Sequence, residues 1–150
     1  MSKILIELSD MNQTSILTKI NNLLQSAEMF ARPSKKLPGK WQLYEYYIDD
    51  AKELKHVNRE QVTSEKQNWE IEFISVGEQF IHNSNLSIPL ISRIENSLWS
   101  ISKNFITIIH PQDFRKNIEF QFAFEKGNLK LLKKDKFGKI EFFGFFKKIG

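Results

Sequence analysis

Read for the spacing of its apolar positions, the chain changes character at Leu37-Pro38-Gly39-Lys40-Trp41. Ahead of that point Ile16, Leu17, Ile20, Leu23, Leu24, Ala27 and Phe30 recur at helical spacing, with Thr18, Lys19, Asn22, Gln25 and Glu28 opposite them. Ser9-Asp10 offers an N-cap and Pro33 a stop, so the pattern predicts one amphipathic helix of about twenty residues. Arg32–Lys36 reads as a short linker.

After Trp41 a period of two takes over. Strands are expected at Lys40–Ile48, Trp69–Phe73, Gln79–His82, Leu98–Ile101, Phe105–Ile109, Ile118–Phe124, Leu129–Leu131 and Ile140–Phe146. The clearest is Ile118-Glu119-Phe120-Gln121-Phe122-Ala123-Phe124, whose large apolar residues fall on one face. Val76-Gly77-Glu78, Ser102-Lys103-Asn104, Lys126-Gly127-Asn128 and Asp135-Lys136-Phe137-Gly138 supply turns. Asp49–Lys66 is charged and without sustained period, and reads as a long first loop, with a helical turn as an option within it, placed to gate a barrel mouth. Asn83–Asn96 contains Pro89 and little pattern. Gly144 inside the last strand suggests a bulge or sharp bend.

Eight strands joined mostly by hairpins, with no βαβ rhythm, predict a mainly β fold. The expected architecture is an antiparallel up-and-down eight-stranded barrel with an N-terminal α-helix. Residues 1–36 would pack on the barrel and 37–150 would form it. At 150 residues this is one domain's worth of chain.

Composition sharpens this picture. Ten of the thirteen Phe lie at or beyond Phe105, enough ring volume to fill a barrel or line an apolar pocket. The absence of cysteine excludes disulfides, thiolate metal sites and cysteine nucleophiles. The opening Met1–Leu8 run is too short, and too soon charged at Glu7, for a signal peptide. No segment reaches membrane-spanning length, so a cytoplasmic protein is expected. From Lys126 onward eight lysines face two acids, while the first 125 residues carry a net −2. Lysines interleaved with Leu and Phe suit the solvated side of a late edge hairpin, so no nucleic-acid partner is expected.

At this point a resemblance emerges. Gly39-Lys40-Trp41 resembles the Gly-x-Trp signature of the calycin group. Residues 37–149 are similar to the bacterial lipocalin-like domain, in its order of a Trp-bearing first strand, a Phe-rich hairpin on Gly77, and Trp99 before an apolar strand. Two closing hairpins follow, the second turning on Asp135 and Gly138 and ending Phe146-Lys147-Lys148-Ile149. The resemblance implies a small barrel whose lumen takes up an apolar molecule. Where secreted lipocalins commonly place an Arg over the Gly-x-Trp ring, this chain offers Lys147 or Lys148, and the helix of Asp10–Phe30 is an addition.

The expected function is therefore non-enzymatic binding of a small apolar ligand, with no cofactor required. The lumen candidates are Trp41, Trp69, Phe73, Phe80, His82, Trp99, Phe120, Phe122 and Phe124. Such rings serve equally as a packed interior, and that reading stays open. The alternative class is a protein–protein module, inhibitor or immunity-type, using the helix or the basic C-terminal hairpin on an acidic partner. A minor alternative is haem held by one histidine, His82 or His110. None of His56, His82 and His110 has metal-ligand spacing or a legible triad. Glu70 and Glu72 sit i, i+2 on one strand face, better explained as a solvated outer face than as an acid–base pair.

Overall fold

Strict alternation of buried and part-exposed residues along Trp69–Ile74 shows how the chain is built: Trp69, Ile71 and Phe73 are buried, Glu70, Glu72 and Ile74 less so. The computed structural model describes residues 33–50, 53–84 and 96–150. Within them run β1 (Gly39–Asp50), β2 (Glu53–Val57), β3 (Trp69–Ile74), β4 (Gln79–Ser84), β5 (Asn96–Ser102), β6 (Phe105–Ile109), β7 (Ile118–Glu125), β8 (Asn128–Lys134) and β9 (Ile140–Lys148). A helical turn, α1 (Pro33–Lys36), precedes β1, and a short helix, α2 (Arg59–Ser64), lies between β2 and β3.

All pairings are antiparallel, in the order β1-β3-β4-β5-β6-β7-β8-β9, and β9 pairs back onto β1. The ring is thus a closed, antiparallel, up-and-down barrel of eight strands, as the spacing predicts. Closure leaves no free edge in the ring. β1 is long enough to serve three neighbours. Its first residues pair with β3, from Gly39 opposite Phe73 to Gln42 opposite Glu70. Its last residues pair on the same side with β2, from Tyr46 opposite Val57 to Asp50 opposite Glu53. Its other side carries β9, from Trp41 opposite Lys148 to Ile48 opposite Phe142.

The interior is one cluster of apolar side chains that draws on every strand of the ring, and on β2 and α2. Leu37, just ahead of β1, and Val62, from α2, belong to it and stand toward opposite ends of β1. Two indole N–H groups inside are satisfied by backbone: Trp41 Nε1 donates to the Leu37 carbonyl (2.9 Å) and Trp99 Nε1 to that of Ile74 (3.2 Å).

Four expectations change. Asp49–Lys66 is not a long loop: β1 runs on to Asp50 and β2 returns along it, while the helical turn expected as an option there is α2, behind a capping box. There Asn58 Oδ1 accepts from the Gln61 backbone and Gln61 Oε1 from the Asn58 backbone, both at 2.9 Å. The Arg32–Lys36 linker contains α1, with Pro33 opening a helical turn, a position where its missing N–H costs nothing. Gly144 marks no bulge; the register shifts fall at Leu43/Glu45 and Lys133/Lys134. The C-terminal hairpin is not a solvated edge, since β9 closes the ring and Lys130 is fully buried against Glu125. The helix expected at Asp10–Phe30 and most of Asn83–Asn96 lie outside the described residues. Among the described residues no helix is long and apolar enough to cross a membrane.

Candidate functional site

Because side chains alternate across a strand, one buried anchor fixes which face of each strand looks inward. Phe73 pairs with Phe80 and Phe80 with Ser97. The inward positions of β3, β4 and β5 therefore include Trp69, Ile71, Phe73, Phe80, His82, Ser97 and Trp99. Eight of the nine lumen candidates, all but His82, are at most 4% exposed and belong to the single interior cluster. His82 is half-buried on the same face, its ring stacked on that of Phe80 at 6.1 Å and 18°.

The rings engage one another. Phe73 meets Phe80 at 5.1 Å and Trp99 edge-on at 5.5 Å, Trp41 meets Phe124 at 5.9 Å, and Phe122 meets Phe124 at 5.8 Å. Trp69 is held edge-on by Phe142 and Phe146 at 5.2 and 5.4 Å. Contacts of this kind fix ring positions beyond their area of burial. At the start of β1 the Lys148 ammonium stands 5.7 Å from the Trp41 ring, the cation–π contact that sequence reasoning allowed for Lys147 or Lys148.

Two inward polar groups break this apolar lining. The Trp69 indole N–H and the Ser97 hydroxyl are buried, yet neither has a hydrogen-bond partner among the described residues. Trp69 is 1% exposed and Ser97 7%. Leaving such a group unpaired costs about 1–3 kcal/mol, so native interiors rarely tolerate it without a reason. The register brings the two near His82. Trp69 lies opposite Ser84 and Ile71 opposite His82, which makes His82 the diagonal neighbour of Trp69. Ser97 lies opposite Phe80, so His82 is its diagonal neighbour as well. Diagonal neighbours on one sheet face are about 7–8 Å apart, within bridging reach of one small polar group. Trp69, His82 and Ser97 form a polar diagonal across three strands of an otherwise apolar wall. Trp69 and His82 were among the sequence candidates. Ser97 was not, because nothing in Glu95-Asn96-Ser97 marks one serine as inward until its pairing with Phe80 is known.

The outer surface carries two further groups of polar residues. At the β1–β2 hairpin, Glu45 is buried and its Oε2 lies 2.7 Å from His56 Nε2, with the His56 ring stacked on Tyr47 at 4.5 Å. The Arg59 guanidinium stands 4.5 Å over Tyr44. Along β6, β7 and β8 a groove of about 490 Å³ is floored by Phe105, Gln121 and Leu132 and rimmed by Glu119, Lys134 and Lys136. Burial pushes the Lys134 ammonium below the ordinary lysine range.

The remaining histidine, His110, sits in the turn before β7, where its Nδ1 accepts from the backbone of Gln112 (3.2 Å) and Asp113 (3.0 Å). Glu70 and Glu72 are half-buried on the outward face of β3. Among the described residues no group of three or more His, Asp or Glu is placed to hold a metal ion. No protein-family model matches the chain, and no curated protein matches it either.

Proposed function

We propose that this chain is a non-enzymatic, calycin-like binding protein that takes one small, largely apolar molecule with a hydrogen-bonding head group into its barrel. The carrying observation is the pair of buried, unpaired groups on the lumen face, the Trp69 N–H and the Ser97 hydroxyl. An acceptor on a ligand would satisfy the first, and a donor or acceptor the second. His82 stands between them as a further partner.

The character of the head group follows from charge. The described inward residues of β3–β5, which include Trp69, Ile71, Phe73, Phe80, His82, Ser97, Trp99 and Ile101, contain no lysine, arginine or carboxylate. A free carboxylate buried there would lack a compensating cation, whereas a carbonyl or hydroxyl would not. This reading therefore favours an aldehyde, ester, ketone or alcohol over a fatty acid. Burial of some 300 Å² of apolar ligand surface is worth about 7 kcal/mol before association costs, which sets an expectation of micromolar affinity.

The test is a tryptophan-fluorescence titration with retinal, a fatty-acid methyl ester, the free fatty acid and haem. Saturable quenching by the neutral ligands, about tenfold weaker in Ser97→Ala, is expected. Equal binding of all the amphiphiles, unaffected by that substitution, would refute the polar anchor. A Soret band abolished by His82→Ala would turn the reading to haem.

A second reading has its own observation. The groove beside the basic hairpin, with Lys134 and Lys136 on its rim, suits an acidic segment of a protein partner. Salt-sensitive capture of such a partner, lost in a Lys134→Glu/Lys136→Glu variant, would favour it.

A further inference from the structure

The barrel has a second apolar layer, on its outside. Beyond the interior cluster, Tyr44, Tyr47, Ala123, Leu132, Ile140, Phe143 and Phe145 are all buried, and Phe143, Phe145 and Leu132 are at most 1% exposed. The register places them outward. Leu131 pairs with Gly144 on the inward side, while Leu132 pairs with Phe143 and Lys130 with Phe145 on the other. On β1 the same outward set pairs on, Glu45 with Phe145 and Tyr47 with Phe143. Lys130 lies among them, its side chain wholly inaccessible and its charge met by Glu125, with the Phe145 ring 6.0 Å from its ammonium.

Outward side chains of a closed barrel reach such burial only beneath another layer of chain. Described residues supply a small part of it: His56 covers Tyr47 and Arg59 covers Tyr44. Among the described helices α2 packs along β1, and none packs along β8 or β9, where Phe143, Phe145 and Leu132 lie.

We propose that the outer face of β1, β9 and β8 is the docking surface for the amphipathic segment of residues 10–30 of the same chain. Three observations select that occupant. The first is supply: of the stretches outside the described residues, 51–52 is too short to cover a sheet face. Residues 85–95 join β4 to β5, which stand across the ring from β9. That leaves residues 1–32. The second is the point of entry. The segment ends at α1, and Leu37 and Gly39 lead straight into β1 at the end where the Lys40 amide donates to the Gly150 carbonyl and the Lys40 carbonyl accepts from the Ile149 amide, beside β9. The third is fit. The stripe Ile16, Leu17, Ile20, Leu23, Leu24, Ala27 and Phe30 belongs to a stretch that would measure about 30 Å as a helix. The nine residues of β9 also run about 30 Å. An apolar stripe with a polar back, laid on a sheet face with no exposed ring, closes a third layer over the barrel wall.

The chain has no cysteine, so a single Asn22→Cys change, on the polar side of the stripe, accepts one nitroxide label in the full-length protein. Paramagnetic broadening is expected to erase the amide signals of Lys130–Leu132 and Phe143–Phe145 and to spare those of β4 and β5. The pattern should vanish when labelled, isotope-free protein is mixed with unlabelled, isotope-enriched protein. A companion variant, Leu17→Asp/Leu24→Asp, should expose the face: the same amides shift and a dye that reports apolar surface binds, while β3–β5 signals stay in place. Broadening confined to other strands, no broadening, or broadening that survives the mixing and so comes from a second copy would each overturn the proposal.

Discussion

The ring of Phe142 occupies the space that a side chain on Gly144 would need. A β-carbon built on Gly144 falls 2.5 Å from Phe142 Cζ, closer than packed carbons come, and a tight 3.0 Å from Leu43 Cδ1. Gly144 therefore serves volume rather than backbone freedom: it lets the Phe142 ring fold back along β9, toward Tyr46 at 5.9 Å and Trp69 at 5.2 Å. Both contacting side chains are buried in the packed interior, so relief requires the ring or the strand to move. Gly144→Ala should cost about 1–3 kcal/mol, roughly 3–10 °C in melting temperature for a chain of this size. Thermal or denaturant unfolding of the two proteins measures it.

Lys130 makes a sharper stability test because its partner is less buried than it is. The Lys130 side chain is 0% exposed and that of Glu125 24%. Burial drives the Lys130 ammonium down from the ordinary lysine value, and Glu125 opposes that drift. Removing the carboxylate strands a buried cation, so Glu125→Gln should destabilise by about 3 kcal/mol. Replacing the lysine by a stem of similar length and no charge does not, so Lys130→Met should be neutral or stabilising. Denaturant melts of both variants decide it; the opposite ranking would show that the pair itself carries the stability.

Alkaline pH should unfold the barrel through its tyrosines. Tyr44, Tyr46 and Tyr47 are the three tyrosines of the chain, and burial raises all of them above the ordinary value of 10.0. A folded-state value above the unfolded one gives stability that is whole below about pH 10 and lost as pH rises beyond it. Lys130 works in the reverse sense, but its gain is complete once pH passes its unfolded value of 10.5. Phenolate absorbance should therefore appear late and together with loss of the near-ultraviolet dichroism. Early, independent ionisation of all three would contradict their burial.

The capping box of α2 is a local test of how β2 and α2 are held. Asn58→Ala removes the side chain that accepts from the Gln61 backbone, at a cost of about 1 kcal/mol. Since Val62 reaches the interior cluster from that helix, faster hydrogen exchange should appear at residues 59–64 before it appears in β7.

How far the sequence carried depends on how many faces of a strand are buried. β3 and β7 were legible because one face is apolar and the other polar, as Trp69-Glu70-Ile71-Glu72-Phe73 displays. β1 and β9 were found as strands, but Phe142-Phe143-Gly144-Phe145-Phe146 is apolar on both faces. Alternation alone could not say which rings face the lumen, and the outer layer went unseen. β2 escaped because Glu53-Leu54-Lys55-His56-Val57 is short and charged, and only pairing with β1 makes it a strand. The α2 signal was present in the spacing of Asn58 and Gln61, but six residues leave little periodicity to read. For the site, the aromatic wall and His82 were visible from composition and order. Ser97 and the unpaired state of the Trp69 N–H are properties of register and burial that no local pattern records.

The indole N–H groups allow the central claim to be tested one residue at a time. Trp41 and Trp99 already donate to the carbonyls of Leu37 and Ile74, whereas Trp69 has no acceptor among the described residues. In a ¹H–¹⁵N spectrum recorded while retinal or a fatty-acid methyl ester is added, the indole signal of Trp69 should move saturably and those of Trp41 and Trp99 should stay nearly still. A Trp69 signal indifferent to every ligand, as it would be with ordered water as its acceptor, or three indole signals drifting together without saturation, would contradict binding inside the barrel.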